Sequence, residues 1–330
     1  MNRLSLTFAC GRYDRTEALR TGDVAVEGID LKYIPIDAPR EIFDRMVQKR
    51  EFDLSELSSS EFISMTGRGD CPFVALPVFP SRVFRHGFIF INKRAGIGSP
   101  KDLEGKRIGV PLYTQTAAIW IRGHLRHQYG VNLETIRWVQ GAVEKSGNHG
   151  TPNLVPLLKP AIIEINESAH SLAELLARGE IDALIGSRAP ATLGRHPDVA
   201  RLFPNYRDLE REFYRQTGIF PIMHLVAIRR DVYEKNSWIA GNLQRAFVDS
   251  KNWALARMHF SGSQCYMLPW QFADVDEIDE VFGGDPWPYG IEANRPTLEA
   301  LLQYMVEQHF LPQLLSSEEL FVPLPRGMPR

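Results

Sequence analysis

The chain has 330 residues, of which 44% are hydrophobic and 24% charged, and its formal net charge is −2. This length exceeds one ordinary core and predicts two α/β lobes. The near-neutral, mixed charge argues against nucleic acid or a membrane surface as partner, and no apolar run approaches the roughly 20 residues of a membrane span.

The first residues and the cysteines indicate a compartment. The chain enters a strand-like run at 4–9 without a small-residue cleavage site, which predicts a cytoplasmic protein. Cys10, Cys71 and Cys265 are odd in number and widely spaced, a pattern typical of reduced thiols and not of a disulfide framework or a zinc site.

Strands and helices alternate along the chain. Apolar runs predict strands at 4–9, 29–36, 50–57, 73–78, 88–91, 107–110, 136–139, 181–185 and 222–228. Helical spacing and caps predict helices beginning at 16, 39, 117, 171, 204, 237 and 296. Residues 141–160 are rich in Gly, Pro and Asn and predict a long loop.

The stretch 80–92 combines a buried strand with massed polar groups. Its second half, 88–91, is continuously apolar, whereas Arg82, Arg85 and His86 come directly before it. Two arginines supply forked donors for carboxylate or phosphate, and a histidine supplies a proton near neutral pH. The alternative is that the arginines solvate a loop and His86 caps the strand.

Two parts of the chain resemble each other. Glu51-Phe52-Asp53 precedes a strand ending at Ser58, and Glu180-Ile181-Asp182 precedes a strand ending at Ser187 with the same spacing. The segment 13–18 is echoed by 113–118, with Tyr, Thr and Ala at matching positions. Two matches in the same order predict two similar strand–helix series.

Such a series predicts where a ligand binds. In open parallel sheets, ligands lie beyond the carboxyl ends of the strands, at helix N-termini. Two lobes, 1–92 with 221–330 and an inserted 93–220, would be joined by crossings near His86 and His224, both at the base of a shared cleft. The predicted substrate-binding residues are Arg12, Ser58, Ser59, Arg82, Arg85, Tyr113, Thr114, Thr116, Ser187 and Arg188.

These residues also suggest a family. The segments 6–16, 41–46, 51–58 and 82–87 resemble those of the 4,5-dihydroxyphthalate decarboxylases. The segment 102–109 is typical of many solute-binding proteins. The resemblance spans nearly the whole chain. It implies a two-lobed, type II solute-binding-protein-like α/β fold, in which each lobe is an open, mostly parallel sheet flanked by helices and two crossing strands join the lobes.

The resemblance further implies a reaction in phthalate degradation: loss of one carboxylate from 4,5-dihydroxyphthalate, giving 3,4-dihydroxybenzoate and CO₂. Protonating the ring carbon provides the electron sink that decarboxylation needs, so the enzyme requires cations, a base and an acid. No organic cofactor or metal is expected. The expected partners are a small aromatic dicarboxylate and further copies of the chain, with no nucleic acid or membrane.

His86 is the first choice for the acid–base residue, His224 the second and Glu56 a third catalytic candidate. Glu56 either pairs with an arginine for structural reasons, orients His86 or takes the phenol proton. Arg12 either binds substrate or forms a surface ion pair. His124 and His127 are expected on the surface. The competing functions are a non-catalytic binding protein for an aromatic dicarboxylate and a metal-assisted decarboxylase using His86, His224 and Glu56.

Overall fold

The computed structural model describes residues 3–149 and 157–325. Part of the predicted loop at 141–160 therefore lies outside the described residues. The strands, in chain order, are β1 (Leu4–Cys10), β2 (Ile29–Pro35), β3 (Leu54–Ser58), β4 (Phe73–Arg82), β5 (Ile89–Asn92), β6 (Arg107–Val110), β7 (Arg137–Gln140), β8 (Ile163–Ile165), β9 (Ala183–Ile185), β10 (Val199–Arg201) and β11 (Ile222–Arg229).

The α-helices, in chain order, are α1 (Asp14–Thr21), α2 (Pro39–Lys49), α3 (Ser59–Arg68), α4 (Thr116–Tyr129), α5 (Leu172–Arg178), α6 (Tyr206–Thr217), α7 (Arg230–Lys235), α8 (Ile239–His259), α9 (Gln271–Phe282), α10 (Arg295–Glu307) and α11 (Ser317–Leu320). Four helices, α3, α7, α9 and α11, and two strands, β8 and β10, were not predicted from the sequence. Short 3₁₀ turns include His86–Phe88, directly before β5.

Two compact units divide the chain. The first unit comprises Met1–Arg82, Thr217–Glu299 and Leu315–Arg330, and the second comprises Val83–Gln216 and Ala300–Leu314. The predicted boundaries at 92 and 220 are thus displaced, because β5 pairs with β9 and β10 in the sheet of the second unit.

Residues 300–314, which include the end of α10, belong to the second unit, whereas all of 221–330 was predicted to belong to the lobe that contains 1–92. Tyr304 packs against α4 because Gly123 has no side chain, and an added Cβ there would lie 2.1 Å from the Tyr304 ring. Arg122 Nε donates to Gln308 Oε1 at 2.7 Å, which further ties residues 300–314 to the second unit.

Each unit contains one open sheet with the same local order. The first sheet runs β2-β1-β3-β11-β4, and the second runs β10-β5-β9-β6-β7-β8. In the first, β1, β2 and β3 are parallel and β11 is antiparallel to its neighbours; in the second, β6 to β9 are parallel and β5 is antiparallel. Pro77 and Pro80 are accommodated because β4 is an edge strand, where a missing N–H donor is tolerated.

The repeat seen in the sequence is a repeat in the structure. Asp53 before β3 accepts a hydrogen bond from the backbone N–H of Thr7 in β1, at 2.8 Å. Asp182 before β9 accepts the equivalent bond from the N–H of Arg107 in β6, also at 2.8 Å. An aspartate therefore fixes the register between β1 and β3 in the first unit and between β6 and β9 in the second.

Candidate active site

A buried carboxylate organises the carboxyl ends of the strands in the first unit. Glu56 is 0% exposed. One oxygen, Oε1, accepts from the Tyr13 hydroxyl at 2.6 Å and from His224 Nδ1 at 2.5 Å. The other, Oε2, accepts from the Gly11 backbone N–H at 3.0 Å and lies 3.5 Å from Cys10 Sγ. We call Glu56, His224 and Tyr13 the Glu56 group.

Strand pairing brings these side chains together. Antiparallel β3 and β11 place His224 opposite Ser58, two residues beyond Glu56. The register between β11 and β4 shifts on both sides of His224, and such bulges re-aim a side chain. The Phe43 ring of α2 packs edge-on against the imidazole with centroids 4.9 Å apart, which restricts the ring further.

The hydrogen bonds keep Glu56 ionised. Burial alone would raise its pKa, but the charge and hydrogen bond of His224, with the bonds from Tyr13 and Gly11, outweigh burial and hold the pKa below the ordinary 4.5. Burial, and then the charge of Glu56, raise the pKa of Tyr13, so its hydroxyl remains a donor. The same causes raise the pKa of Cys10, which leaves a protonated thiol and not a nucleophile.

His224 presents its second ring nitrogen for chemistry. Nδ1 is taken by Glu56, and within the described residues Nε2 has no hydrogen-bond partner. The side chain is 17% exposed, so a small molecule can reach it. A carboxylate that holds Nδ1–H leaves Nε2 to accept or deliver a proton.

Arg15 lies beside the Glu56 group. Its guanidinium carbon is 4.4 Å from the Tyr13 ring centroid and 4.0 Å from that of Trp287. Nε donates to the Pro80 carbonyl and Nη1 to Asp14, at 2.7 and 2.9 Å, whereas Nη2 has no bond among the described residues. The side chain is 15% exposed. The rings of Tyr13 and Trp287 thus position a guanidinium whose Nη2 remains available to bind a ligand.

The predicted serines lie where α3 follows β3. Ser58 and Ser60 hydroxyls are 3.2 Å apart, and Ser58 does not cap α3 with its side chain. The Ser59 hydroxyl is buried and has no partner among the described residues. A helix N-terminus with an unpartnered hydroxyl suits a carboxylate.

His86 lies in a different environment, in the second unit. It is 2% exposed, and its ring stacks on that of His124 with centroids 5.1 Å apart. Gln128 bridges the two rings, since Oε1 pairs with His86 Nε2 at 2.9 Å and Nε2 pairs with His124 Nδ1 at 3.1 Å. The expectation that His124 is on the surface is wrong, because it is only 3% exposed.

Burial, and not the neighbouring arginines, lowers the pKa of His86. The bridge also assigns the tautomers: His86 carries its proton on Nε2, and His124 accepts at Nδ1 and carries its proton on Nε2. Among the described residues Glu56 forms no ion pair with an arginine, so the expectation of a structural arginine pair is wrong: its carboxylate holds His224 instead. That Glu56 orients His86 or takes the phenol proton stays a prediction.

Glu210 approaches His86 from α6. Its Oε1 accepts from the Gly87 N–H at 3.1 Å and lies 4.0 Å from His86 Nδ1. Burial raises the pKa of Glu210 to about 7, although backbone N–H groups and the charges of Arg85 and Arg201 oppose the rise. The folded state therefore carries a penalty that grows as pH rises from 4.5 and is complete above about 7.

We predict that Glu210→Gln stabilises the protein in alkali only. Glutamine keeps an acceptor for the Gly87 N–H but cannot be forced to ionise. The gain should be about 2–3 kcal/mol at pH 8.5 and close to zero at pH 4.5, following the raised pKa. Thermal unfolding at both pH values measures it. An equal shift at the two pH values, or a loss of stability at pH 8.5, would contradict the assignment.

The predicted arginines have different surroundings. Arg12 forms an ion pair with Asp37 on the surface, and its side chain is 52% exposed, as the alternative for this residue predicted. Arg82 is buried and donates to the carbonyls of Phe220 and Pro288. Arg85 is 3% exposed, and neither its Nε nor its Nη1 has a hydrogen-bond partner among the described residues.

The remaining predicted ligands lie at the equivalent edge of the second sheet. Tyr113 and Thr114 follow β6, Thr116 begins α4, and Ser187 follows β9. Gln115 Nε2 donates to the Ser187 hydroxyl at 3.1 Å, which joins the two loops. Arg188 is exposed. That they bind substrate stays a prediction.

The structure adds three residues that the sequence analysis did not assign to the site: Tyr13, Arg15 and Gly11. No group of three or more His, Cys, Asp or Glu suited to a metal occurs in 3–149 and 157–325. Over the same residues, no helix is both long and apolar enough to cross a membrane. All three cysteines are free thiols.

Comparison with solved structures confirms the predicted fold class. The periplasmic aliphatic sulphonate binding protein SsuA from Escherichia coli matches with a TM-score of 0.53 and 13% identity, covering 96% of this chain and 97% of that one. Protein AF1704 from Archaeoglobus fulgidus matches with a TM-score of 0.52 and 15% identity, over 92% and 97%. The chain is thus an α/β protein of the periplasmic-binding-protein-like fold with a buried carboxylate–histidine pair.

Sequence comparison is more specific. A 4,5-dihydroxyphthalate decarboxylase from Comamonas testosteroni is 36% identical over 324 residues, which is 98% of both chains. One from Pseudomonas putida is 39% identical over 218 residues, covering 65% of this chain and 83% of that one. No family model matches the chain. The chain belongs to the 4,5-dihydroxyphthalate decarboxylase family, whose members are carboxy-lyases.

Proposed function

We propose that this chain converts 4,5-dihydroxyphthalate to 3,4-dihydroxybenzoate and CO₂ without an organic cofactor. The two curated relatives carry that name, and one aligns over almost the full length. The observation that carries the proposal at the level of chemistry is the Glu56 group, in which a buried carboxylate holds His224 Nδ1 and leaves Nε2 open. A receptor that only binds a dianion needs donors, not an oriented imidazole.

The proposed reaction begins with a proton. His224 Nε2–H protonates the ring carbon that bears the leaving carboxylate, and the hydroxyl para to that carbon supplies electron density. The carbon–carbon bond to the carboxylate then breaks, its electron pair restores the aromatic ring, and CO₂ leaves. Each turnover consumes one proton, which His224 regains from water. Ionised Glu56 stabilises the positive charge that the imidazole carries.

Arg15 is the proposed anchor for the carboxylate that stays. Stacking between Tyr13 and Trp287 fixes the plane of the guanidinium, and Nη2 is unused. Ser59 and the first N–H groups of α3 offer a further set of donors in the same unit. Arg82 is assigned no contact with substrate, because its Nε and Nη2 donate to the Phe220 carbonyl. Arg12 is assigned none, because it forms an ion pair with Asp37 on the surface.

We expect Arg15→Lys to weaken substrate binding by about 10- to 100-fold, the range for a charged hydrogen bond. Lysine keeps the charge but has no planar fork and stacks poorly between rings. Calorimetric titration with phthalate measures the effect. Arg20→Lys, a change on the exposed face of α1, serves as the control, and equal affinities for the two variants would remove Arg15 from the site.

The decisive experiment compares two substrates. Purified protein is incubated with 4,5-dihydroxyphthalate and with phthalate, and CO₂ is followed. Both should bind, but only the first should be decarboxylated, because phthalate has no hydroxyl para to a carboxylate. Binding of both without CO₂ release would instead support the function of a binding protein, which the fold also permits.

A further inference from the structure

Among residues 3–149 and 157–325, three arginines are buried, and they differ in how their donors are used. Arg82 donates to two backbone carbonyls, and Arg122 donates to Gln308 Oε1 and the Tyr113 carbonyl at 2.7 and 2.9 Å. Arg85 is 3% exposed, yet within the described part of the chain it makes no hydrogen bond and no ion pair. Its guanidinium carbon lies over the Phe88 ring, 5.0 Å from the centroid.

A buried guanidinium without partners is costly. Removing a charge from water costs several kcal/mol unless it is paired and its donors are satisfied. Burial lowers the pKa of Arg85 to about 9, so the group is still cationic at neutral pH. Glu210 is the nearby carboxylate, but it forms no ion pair with Arg85 and is itself only partly ionised near pH 7. The buried positive charge of Arg85 therefore requires a counterion.

Two further buried polar atoms without a hydrogen-bond partner among the described residues lie on the stacked rings of His124 and of His86, the residue that follows Arg85. His124 carries its proton on Nε2, and that buried N–H has no acceptor among the described residues. The electrostatic influence of Arg85 reaches His124, where it contributes, after burial and His86, to lowering the pKa of the imidazole. His86 Nδ1 is likewise buried and unpartnered. Donors outnumber acceptors in this cluster.

We propose that Arg85, with the Nε2–H of His124, forms a buried site for a small anion. A guanidinium edge and a neutral imidazole N–H match a halide or one carboxylate group in charge and hydrogen bonding. The anion has two possible sources: an inorganic ion from solution, or a carboxylate of the substrate. Only the second source rests on the proposed function.

The test uses thermal unfolding at constant ionic strength, set with a bulky sulfonate. Chloride, formate and 4,5-dihydroxyphthalate are titrated into wild type, Arg85→Met and Arg122→Met. The melting temperature of wild type should rise with at least one of the three. Arg85→Met should weaken that response by about 10- to 100-fold in apparent affinity. Arg122→Met should respond as wild type does, since Arg122 Nε and Nη2 already donate to protein acceptors and only Nη1 lacks a partner among the described residues.

The pattern of responses distinguishes the two sources. Stabilisation by chloride or formate identifies a site for an inorganic or simple anion, and this result stands even if the protein releases no CO₂. Stabilisation by 4,5-dihydroxyphthalate alone identifies a substrate carboxylate, and Arg85→Met should then raise KM by about the same factor. Arg85→Lys, which keeps the charge and loses the fork, covers the case in which Arg85→Met fails to fold.

Two results would overturn the proposal: no response of wild type to any of the three anions, or equal responses of wild type and both Arg85 variants. Bromide-soaked crystals offer an independent measurement. Anomalous density within hydrogen-bond distance of the guanidinium is expected, and its absence in crystals of a chloride-responsive protein would place the anion elsewhere.

Discussion

Replacing His224 by glutamine should lower the turnover number about 100- to 10,000-fold while leaving the dissociation constant of the substrate nearly unchanged. Glutamine matches the size and polarity of the ring and can still bond Glu56, so the site stays assembled. It cannot hold a mobile proton at the position of Nε2. Turnover and the dissociation constant are to be measured on the same preparation.

His86→Gln is the matched comparison, since both histidines follow from the sequence as acid–base candidates. His86 is 2% exposed, bonded to Gln128 and stacked on His124, and burial holds it neutral. We expect this variant to lose stability but retain turnover within a few-fold of wild type. Near-normal turnover in His224→Gln with a large loss in His86→Gln would transfer the role to His86.

Most of the fold could be predicted because buried strands are continuous apolar runs. The runs at 88–91 and 222–228 correspond to β5 and β11, and the repeat of Asp53 and Asp182 proved to be a repeat of register. The boundary and the position of residues 300–314 could not be predicted, because they depend on packing such as Tyr304 over Gly123. Sequence spacing does not record such contacts.

The candidate site was predicted only in part, because its assembly depends on which strands pair with each other. Glu56, Ser58 and His224 could be named from strand ends, but which histidine Glu56 meets depends on the antiparallel pairing of β3 with β11. The repeat that led to Tyr113 applies equally to Tyr13, and its consistent use would have added Tyr13 to the site. Arg15 gave no such signal, because its role follows from stacking against Trp287, far along the chain.

Glu56→Gln is the second change for which we expect a large effect. The carboxylate accepts from four donors, the Cys10 thiol, Gly11 N–H, Tyr13 O–H and His224 Nδ1–H. A glutamine amide offers only one acceptor oxygen. Its NH₂ group would either face one of these donors or bond to His224 Nδ1, which would leave the imidazole proton on Nε2. Loss of the orienting carboxylate in serine-protease triads costs about 10,000-fold in turnover, and we expect about 1,000- to 10,000-fold here.

The same change should remove part of the acid sensitivity of the fold. Because the folded pKa of Glu56 is lowered, its stabilising contribution is present above the ordinary carboxyl pKa and is lost as pH falls through the folded value. The difference in melting temperature between wild type and Glu56→Gln should therefore be large at pH 7 and shrink toward pH 3. Asp53→Asn is the control: it removes the acceptor for Thr7 outside the Glu56 group, so it should lower the melting temperature but leave turnover within a few-fold. If Glu56→Gln likewise loses only stability, Glu56 has a structural role and His224 acts without it.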